Sequence, residues 1–419
     1  MSLLSRLPAP LLLLLAWSAA FAAPPAERPP SDPAAAAVEK CRGLAVEAER
    51  TCYAEALDAA LASGGAPAAL ALLDRLAALD PDVRRDGHMY AHRLGMAALK
   101  SIDDVGRVFA SCSPGWQSGC YHGVIQGYFI LSEQAGLGVT TATLDALCGT
   151  YRADGQSFLL FQCTHGLGHG LDILHRHELP EALASCGLLS RAGEQEMCWA
   201  GAFMENVIAA TEPDNALAAH AAMSMHGSQG AHEGHDEGGM AAAPAFRLLD
   251  PADLHYPCSA LDPKYLTACY TIQTSAMLNQ SGRDFARVAR ECGRAPETAR
   301  ATCFLSLGRD VSTAAAGNAG EAIRLCGLAE EAFRPACHEG VVGSLVNMNA
   351  DPTEGIPYCR AVAEAASKRA CYAAVGLQAL GLPDGEAKRE RACGAAEADQ
   401  IDICLDRPPA SETTSAPQK

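Results

Sequence analysis

Apolar residues recur along this chain in short segments that end at a cysteine and in longer segments that begin at one. The short segment from Leu144 to Cys148 is followed by Gly149, and glycine favours the end of a helix. A longer segment opens at Cys337, keeps apolar or small residues at helical spacing, and closes at the polar stretch 349–352. The pattern predicts helical hairpins. In each hairpin one cysteine ends a short helix, and about ten residues later a second cysteine begins a longer helix.

The cysteines repeat at a nearly fixed interval. Eighteen cysteines fall into nine close pairs, and the second members of the last five pairs, from Cys269 to Cys404, stand 33 or 34 residues apart. A fixed period of this length is typical of repeat proteins, and close pairs in even number predict one disulfide in each unit. The predicted pairs are Cys41-Cys52, Cys112-Cys120, Cys148-Cys163, Cys186-Cys198, Cys258-Cys269, Cys292-Cys303, Cys326-Cys337, Cys359-Cys371 and Cys393-Cys404.

Two longer intervals complete the count of units. Cys52 and Cys120 are 68 residues apart, twice the period, so a unit without cysteines is expected around Asp86. The 71 residues between Cys198 and Cys269 instead contain an insertion of different composition. We therefore predict an all-α solenoid of about ten helical hairpins of about 34 residues, nine of them with a disulfide that joins the two helices.

The period and the predicted hairpins resemble tetratricopeptide and Sel1-like repeats. The stapled units resemble the cysteine-rich Sel1-like proteins that some bacteria secrete, and the resemblance covers about residues 38–406. It concerns architecture. It implies a disulfide between the two helices of each repeat, and a protein or peptide partner along a concave surface.

The first residues predict export. Arg6 precedes an apolar run from Leu11 to Phe21 that ends in the small-residue pattern of a cleavage site, as in a signal peptide. The run is shorter than the roughly 18–20 apolar residues of a spanning helix, so we expect no membrane anchor and a periplasmic or secreted protein. The expected boundaries are a signal peptide (1–22), a Pro/Ala-rich linker (23–37), an N-terminal solenoid half (38–210), a His/Met-rich flexible insertion (211–247), a C-terminal solenoid half (248–406) and a disordered tail (407–419).

Composition narrows the classes of function. The net charge is −17 and lysine and arginine form no cluster, so nucleic acid is not an expected partner. The sequence has no Cys-x-x-Cys redox pair, no His-Glu-x-x-His zinc motif and no Gly-x-Ser-x-Gly nucleophile motif. These familiar enzyme signatures therefore do not apply to this chain.

Histidines align in two columns of the predicted repeat. They stand two residues after the second cysteine, or its equivalent, in three consecutive units, and six residues after it in two of these units. Residues four apart share a helix face, and equivalent helices of neighbouring units pack about 8–10 Å apart. Imidazoles at this spacing present nitrogen ligands to zinc, copper or iron. The predicted metal ligands are His88, His92, His122, His165 and His169.

Polar residues near these columns are candidates for further roles. Gln126 fills the second column in its unit, and Glu205 stands one residue beyond that column in a later unit. Glu205 and Glu133 are the candidate acid–base residues of a metal-dependent reaction. The alternatives to a metal or catalytic patch are histidines satisfied by neighbouring carbonyl groups and a pH-responsive cluster. Because the C-terminal units lack these histidines, the fold itself does not require them.

The insertion between Cys198 and Cys258 carries a second set of candidate ligands. Its low complexity predicts a flexible loop. Mixed thioether and imidazole ligands suit copper, and nearby acidic residues would also accept zinc or nickel, whereas the alternative is a linker that is rich in these residues without a role. The candidate ligands of this auxiliary metal loop are His220, Met223, Met225, His226, His232, His235 and Met240.

Together these patterns favour an exported metal-binding or metal-handling helical-repeat protein. Copper or zinc is the expected cofactor, and iron is a third candidate. A metal-dependent enzyme that uses the same histidines and a periplasmic interaction scaffold are the two alternatives. An open coordination position would indicate the enzyme, and indifference to loss of the histidines would indicate the scaffold.

Overall fold

The computed structural model describes residues 32–153, 156–211 and 246–406, and these are mostly helical, as the predicted all-α class requires. Within these ranges there is no strand, and a single isolated bridge joins Asp250 to Asp253. The helices before the insertion are α1 Pro33–Cys41, α2 Val46–Leu79, α3 Pro81–Ala98, α4 Val105–Ala110, α5 Gly119–Gln134, α6 Thr141–Gly149, α7 Ser157–Leu174, α8 Leu179–Cys186 and α9 Ala192–Thr211. The helices after it are α10 Leu266–Tyr270, α11 Gln273–Gln280, α12 Phe285–Arg294, α13 Arg300–Ala315, α14 Ala319–Cys326, α15 Arg334–Asn349, α16 Gly355–Ala361, α17 Ala365–Leu380, α18 Gly385–Gly394 and α19 Ile401–Cys404.

The first helix begins earlier than the sequence predicted. Residues up to 37 were expected to form a linker, but α1 starts at Pro33. The carboxylate of Asp32 accepts a hydrogen bond from the Ala34 amide, and proline is favoured in the first turn of a helix. The alanines that suggested a linker are strong helix formers, so this part of the segment is helical.

Helix α2 contains a sharp break. Gly64 and Gly65 are not helical, and Gly65 has a φ of 70°, a left-handed conformation that glycine adopts readily. After the break the helix continues to Asp80, whose carboxylate accepts from the Asp82 amide at the start of α3. Helical segments without a disulfide therefore lie on both sides of Asp80, in the region where a unit without cysteines was expected.

By length and composition alone, α2 is apolar enough to cross a membrane. The break at Gly64 and Gly65 divides it, and the apolar part that follows runs only from 66 to 79. That part is shorter than the roughly 20 residues that a membrane span needs. Its Leu73 and Leu76 are buried in the same core as residues of α3. Packing within the protein therefore accounts for part of its apolar character.

The longer helices pack against one another in chain order. Helix α3 contacts α5, α5 contacts α7, and α7 contacts α9; after the insertion α11, α13, α15 and α17 follow in the same way. Small residues permit this close packing. A Cβ at Gly308 would clash with the carbonyl oxygen of Cys337, and a Cβ at Gly340 would clash with that of Leu305. Glycine at these two positions thus lets the backbones of α13 and α15 approach closely.

All eighteen cysteines lie in the described residues, and they form the nine disulfides that their spacing predicted. A typical bridge joins Cys326, the last residue of α14, to Cys337 in the first turn of α15. Two first cysteines lie outside a helix: Cys112 stands two residues after the end of α4, and Cys258 lies in a series of turns. Nine disulfides are typical of an oxidising, extracellular environment.

The C-terminal part of the chain returns to the N-terminal part. Helix α15 contacts the turn 116–118, and Met348 of α15 packs on the core that residues 34–120 form. Trp116, Gln117 and Ser118 all have positive φ, at 57°, 49° and 63°. Such a run is uncommon for residues with a Cβ. Contacts on both sides of the turn therefore maintain its shape.

The predicted signal peptide, most of the insertion and the predicted C-terminal tail lie outside the described residues. The last residue before the insertion gap is Thr211, which ends α9, and the first after it is residue 246. The boundaries of these segments stay predictions from the sequence.

Candidate metal centre

Three helices that pack in sequence carry the five predicted histidines to one place. Helix α3 carries His88 and His92, α5 carries His122, and α7 carries His165 and His169. His169 exposes 0% of its surface, and His92, His122 and His165 expose 8% or less. His88 is partly exposed, at the edge of the group. The two histidine columns of the sequence therefore meet in the interior of the protein.

Glycines beside the histidines let these helices approach one another. A Cβ at Gly123 would clash with the carbonyl oxygen of His92, so the backbones of α3 and α5 touch at this level. A Cβ at Gly201 would clash with the carbonyl oxygen of His165, and α7 and α9 are held together in the same way. Both positions require glycine, because the helices that carry the rings lie too close together there for a Cβ.

The five imidazole rings form a continuous cluster. The ring centroid of His92 lies 4.5 Å from that of His88 and 5.2 Å from those of His122 and His169. The His165 centroid lies 4.9 Å from His122 and 5.0 Å from His169. Potential ligand atoms lie within 4.8 Å of one another in two groups, one of His88, His92 and His122 and one of His122, His165 and His169. His122 belongs to both groups.

Two rings are oriented by a carbonyl and an amide oxygen. His88 donates from Nδ1 to the carbonyl oxygen of Trp116 over 2.7 Å, and His122 Nε2 donates to Gln162 Oε1 over 2.9 Å. A Cβ at Gly87 would clash with the Trp116 ring, so Gly87 makes room for the turn that reaches His88. Each bond leaves the other nitrogen of its ring available as an acceptor.

Glu205 on α9 orients two further rings. Its Oε2 accepts a hydrogen bond from His169 Nδ1 at 2.8 Å and one from Gln126 Nε2 at 3.1 Å. Because the Gln126 amide nitrogen donates to Glu205, its Oε1 accepts from His92 Nδ1 at 2.9 Å. Glu205 therefore determines which nitrogen carries the proton in His169 directly, and in His92 through Gln126.

Four ring nitrogens in the cluster are buried and have no hydrogen-bond partner among the described residues. In three of these rings the opposite nitrogen is the one that donates, so the unpartnered nitrogen carries a lone pair when the ring is neutral. Lone pairs on neutral imidazole are what a metal ion binds. The four atoms are His92 Nε2, His122 Nδ1, His165 Nδ1 and His169 Nε2.

Burial lowers the pKa of all five rings. It lowers the pKa of His88 to about 4 and that of His169 to about 3. Burial and the neighbouring rings hold the pKa values of His92, His122 and His165 well below the ordinary value. The rings are therefore neutral at physiological pH, which suits metal binding and disfavours a switch that operates near neutrality.

The residues present fit a transition metal ion. Imidazole nitrogens suit zinc, copper and iron, and bound histidines usually have their second nitrogen held by a carboxylate, carbonyl or similar group, as here. Zinc holds imidazole nitrogens at about 2.0–2.1 Å, so two ligands of one ion stand no more than about 4 Å apart. One ligand atom from each residue of either three-histidine group already lies within 4.8 Å of the other two, close to this distance.

Of the two candidate acid–base residues, only Glu205 lies in the cluster. Glu133 is exposed near the end of α5, about three turns and roughly 16 Å along the helix from His122. The interpretation of Glu133 as an acid–base partner of these histidines is therefore wrong for this arrangement. It failed because Glu133, although on the same helix as His122, is too far along it to share a site.

Sequence reasoning did not find three polar groups near the cluster. Gln162 stands three residues before His165 on one face of α7, a spacing that could have identified it. The carbonyl of Trp116 belongs to a turn whose shape no pattern indicated. Asp172, fully buried, lies 2.8 Å from His177. Burial raises the pKa of Asp172 to about 6. Burial alone would lower the pKa of His177, but the hydrogen bond to Asp172 outweighs it and the pKa is raised.

Comparisons with models of protein families, with curated proteins and with solved structures found no match. The histidine cluster is therefore the feature of this chain that points to a function. The predicted ligands of the insertion lie outside the described residues, and these are His220, Met223, Met225, His226, His232, His235 and Met240.

Proposed function

We propose that this protein binds a transition metal ion through its buried histidine cluster and handles that ion in an oxidising, extracytosolic compartment. Four buried imidazole nitrogens that lack a hydrogen-bond partner among the described residues, on three helices packed together, support the metal site. Nine disulfides support the compartment. Periplasmic or secreted location, through cleavage of residues 1–22, is part of the same proposal.

The unpartnered nitrogens are the observation that carries this proposal. A buried polar atom without a partner costs about 1–3 kcal/mol. Four of them together approach the free energy of unfolding of an ordinary domain, about 5–15 kcal/mol. Buried histidines with a purely structural role usually have both ring nitrogens hydrogen-bonded, whereas His92, His122 and His169 each have one such nitrogen within the part of the chain that the structure describes. Coordination of an ion would offset this cost.

The residues of the cluster would have two kinds of role. The histidines present lone pairs, while Gln126, Gln162 and Glu205 hold the opposite ring nitrogens and keep them protonated. An all-imidazole ligand set suits copper or zinc, with iron as a third candidate. A bound ion would supply Lewis acidity or, in the case of copper or iron, one-electron chemistry.

We propose the insertion as an auxiliary metal loop, on the evidence of its sequence. Imidazole and thioether side chains recur through it, and these ligands suit copper. It follows Thr211 at the end of α9, the helix that carries Glu205. Chain continuity therefore connects the loop to the helix that orients two ligands of the cluster.

The helix order supports the ten-hairpin solenoid inferred from the sequence. Successive long helices pack on one another, and each disulfide joins consecutive segments rather than distant ones. We infer that the chain is a solenoid of stapled hairpins, with a variant unit around Cys258. Small-angle scattering would test this arrangement through the overall dimensions of the protein.

Metal analysis tests the proposed function. The protein would be exported to an oxidising compartment and purified without an affinity histidine tag, and its metal content would be measured by mass spectrometry. We expect bound copper, zinc or iron in the wild type and in a deletion of 215–243. We expect none in a folded variant of that deletion with His122, His165 and His169 changed to Ala. Equal metal content in these two deletion proteins would contradict the proposal.

A cavity in the C-terminal part favours a second function, the binding of a protein or peptide partner. It measures about 530 Å³ and is bordered by Leu305, Arg309, Glu339, Leu377 and Gln117. Four of these residues occupy the same two repeat columns that hold histidines in the N-terminal half. Apolar and charged groups side by side suit a peptide. Loss of partner binding in Leu377→Asp, with metal content unchanged, would separate this function from the first.

The metal-dependent enzyme stays the third candidate, because Glu205 places a carboxylate against the cluster. In such an enzyme Glu205 would manage protons beside His169. An activity that is lost in Glu205→Gln while the metal is retained would favour it over simple metal handling.

A further inference from the structure

The five histidines contain two three-histidine groups rather than one ring of equivalent ligands. His88, His92 and His122 form an outer group, and His122, His165 and His169 form an inner group. In each group one ligand atom per residue lies within 4.8 Å of the other two. We call these groups the outer and the inner triad.

His122 is the member common to both triads, and it has only one nitrogen to offer. Its Nε2 donates to Gln162 Oε1 over 2.9 Å, and its Nδ1 is buried without a partner among the described residues. A single lone pair binds one ion at a time. The two triads therefore cannot both be complete in the same molecule while Gln162 holds His122.

We infer that the cluster offers two overlapping three-imidazole sites that share His122 Nδ1, and that one transition metal ion occupies either the outer or the inner triad. This inference rests on the proposed metal-binding function. It adds that the capacity of the cluster is one ion, and that the ion passes between the triads while His122 stays bound.

The two sites differ in access and in the groups behind them. His88 in the outer triad is partly exposed, whereas His169 in the inner triad exposes 0% of its surface. The inner triad also has the Glu205 carboxylate on His169 Nδ1. A carboxylate in this position raises the basicity of a ligating imidazole. The outer triad is thus the entry site, and the inner triad binds the ion more tightly.

Variants that remove one triad at a time test this inference. All proteins would be full length, with His220, His226, His232 and His235 changed to Ala so that the insertion does not contribute histidine ligands. Titration with Zn²⁺ would give stoichiometry and affinity, and bound Co²⁺ would report the coordination through its visible spectrum. Helix content and the absence of free thiols would show that each variant is folded.

We expect one ion per chain in the reference protein. Because mutually exclusive sites add their association constants, loss of the weaker one lowers the affinity by no more than about twofold. The variant His88→Ala/His92→Ala keeps all three residues of the inner triad. Its affinity should therefore stay within this twofold limit. His165→Ala/His169→Ala should still bind one ion about 10- to 100-fold more weakly, and His122→Ala should lose at least about 100-fold.

Gln162→Leu provides a test that removes no ligand. Since Gln162 orients the shared histidine, its loss should weaken both pair variants by a similar factor, about 10- to 100-fold. A loss confined to one pair variant would overturn the sharing of His122. This comparison remains informative if an alanine variant fails to fold.

The remaining outcomes separate this inference from the proposed function. Two ions per chain in the reference protein, or a complete loss of binding in both folded pair variants, would overturn the two-site arrangement and leave metal binding intact. No ion in the reference protein would instead overturn the proposed function itself.

Discussion

The carboxylate of Glu205 on α9 accepts a hydrogen bond over 2.8 Å from Nδ1 of His169 on α7, the helix that packs against α9. The two residues are 36 apart in sequence, and both are buried, with 5% of Glu205 and 0% of His169 exposed. The same oxygen accepts a hydrogen bond from Gln126 Nε2, and Gln126 Oε1 in turn accepts one from His92 Nδ1. One acidic group thus orients candidate ligands on two other helices.

Replacement of this carboxylate should weaken metal binding. Glu205→Gln removes the charge that makes the His169 ring more basic and loosens the orientation of His92. We expect metal affinity to fall about 10- to 100-fold, as measured by competition with a chelator of known affinity. Glu133→Gln is the matched control, because Glu133 is exposed and distant from the cluster. An equal effect of the two substitutions would contradict the role of Glu205.

The lowered pKa values predict a specific pH dependence of stability. The folded protein keeps His88 neutral down to about pH 4 and His169 down to about pH 3, whereas unfolded histidines take up protons below about pH 6.5. The unfolded state then binds more protons, so the free energy of unfolding falls as the pH is lowered from about 6.5 to about 4.

Urea unfolding of the metal-free protein at several pH values would measure this effect. A variant with His88 and His169 changed to Gln should show a shallower fall over the same interval. A wild-type profile that is flat between pH 7 and pH 4 would show that the rings are protonated in the folded protein.

Close helix packing at Gly123 should be sensitive to one methyl group. Gly123→Ala would place a Cβ against the carbonyl oxygen of His92, which forces α3 and α5 apart. We expect a loss of about 1–3 kcal/mol in the free energy of unfolding, together with weaker metal binding. Gly193→Ala is the control, because a Cβ there meets nothing within 4 Å, and alanine favours a helix over glycine. Similar effects of the two changes would argue against packing as the cause.

Individual disulfides should each make a moderate contribution to stability. Cys148 and Cys163 close the longest of the nine loops, with a sequence separation of 15. Changing both to Ser should lower the free energy of unfolding by about 3 kcal/mol, because the unfolded chain gains freedom. Denatured wild-type protein should have no reactive thiol until it is reduced. Free thiols in the unreduced protein would contradict the pairing.

Much of the site could be predicted because it follows the repeat. The fixed period was enough to place His88, His122 and His165 together, since equivalent positions of packed helices are neighbours. The spacing of four residues placed His92 and His169 on the same helix faces. Glu205 was found for the same reason. The prediction needed no knowledge of the loops.

The remaining features depend on details that no period encodes. The turn 116–118 takes its left-handed shape from contacts with other parts of the protein, so the carbonyl that binds His88 could not be foreseen. Cys258 fits the cysteine spacing, yet the segment before it is not helical. Glu133 shares α5 with His122 but lies about three turns further along it, too far to share the site.

Repeat proteins in which each unit touches only its neighbours can lose their ends one at a time. Here the contact of α15 with the turn 116–118 makes distant parts of the chain neighbours. That turn also supplies the oxygen that holds His88. Fraying of the C-terminal helices would therefore loosen the contact that holds His88, and the candidate metal site gains support from helices that it never touches.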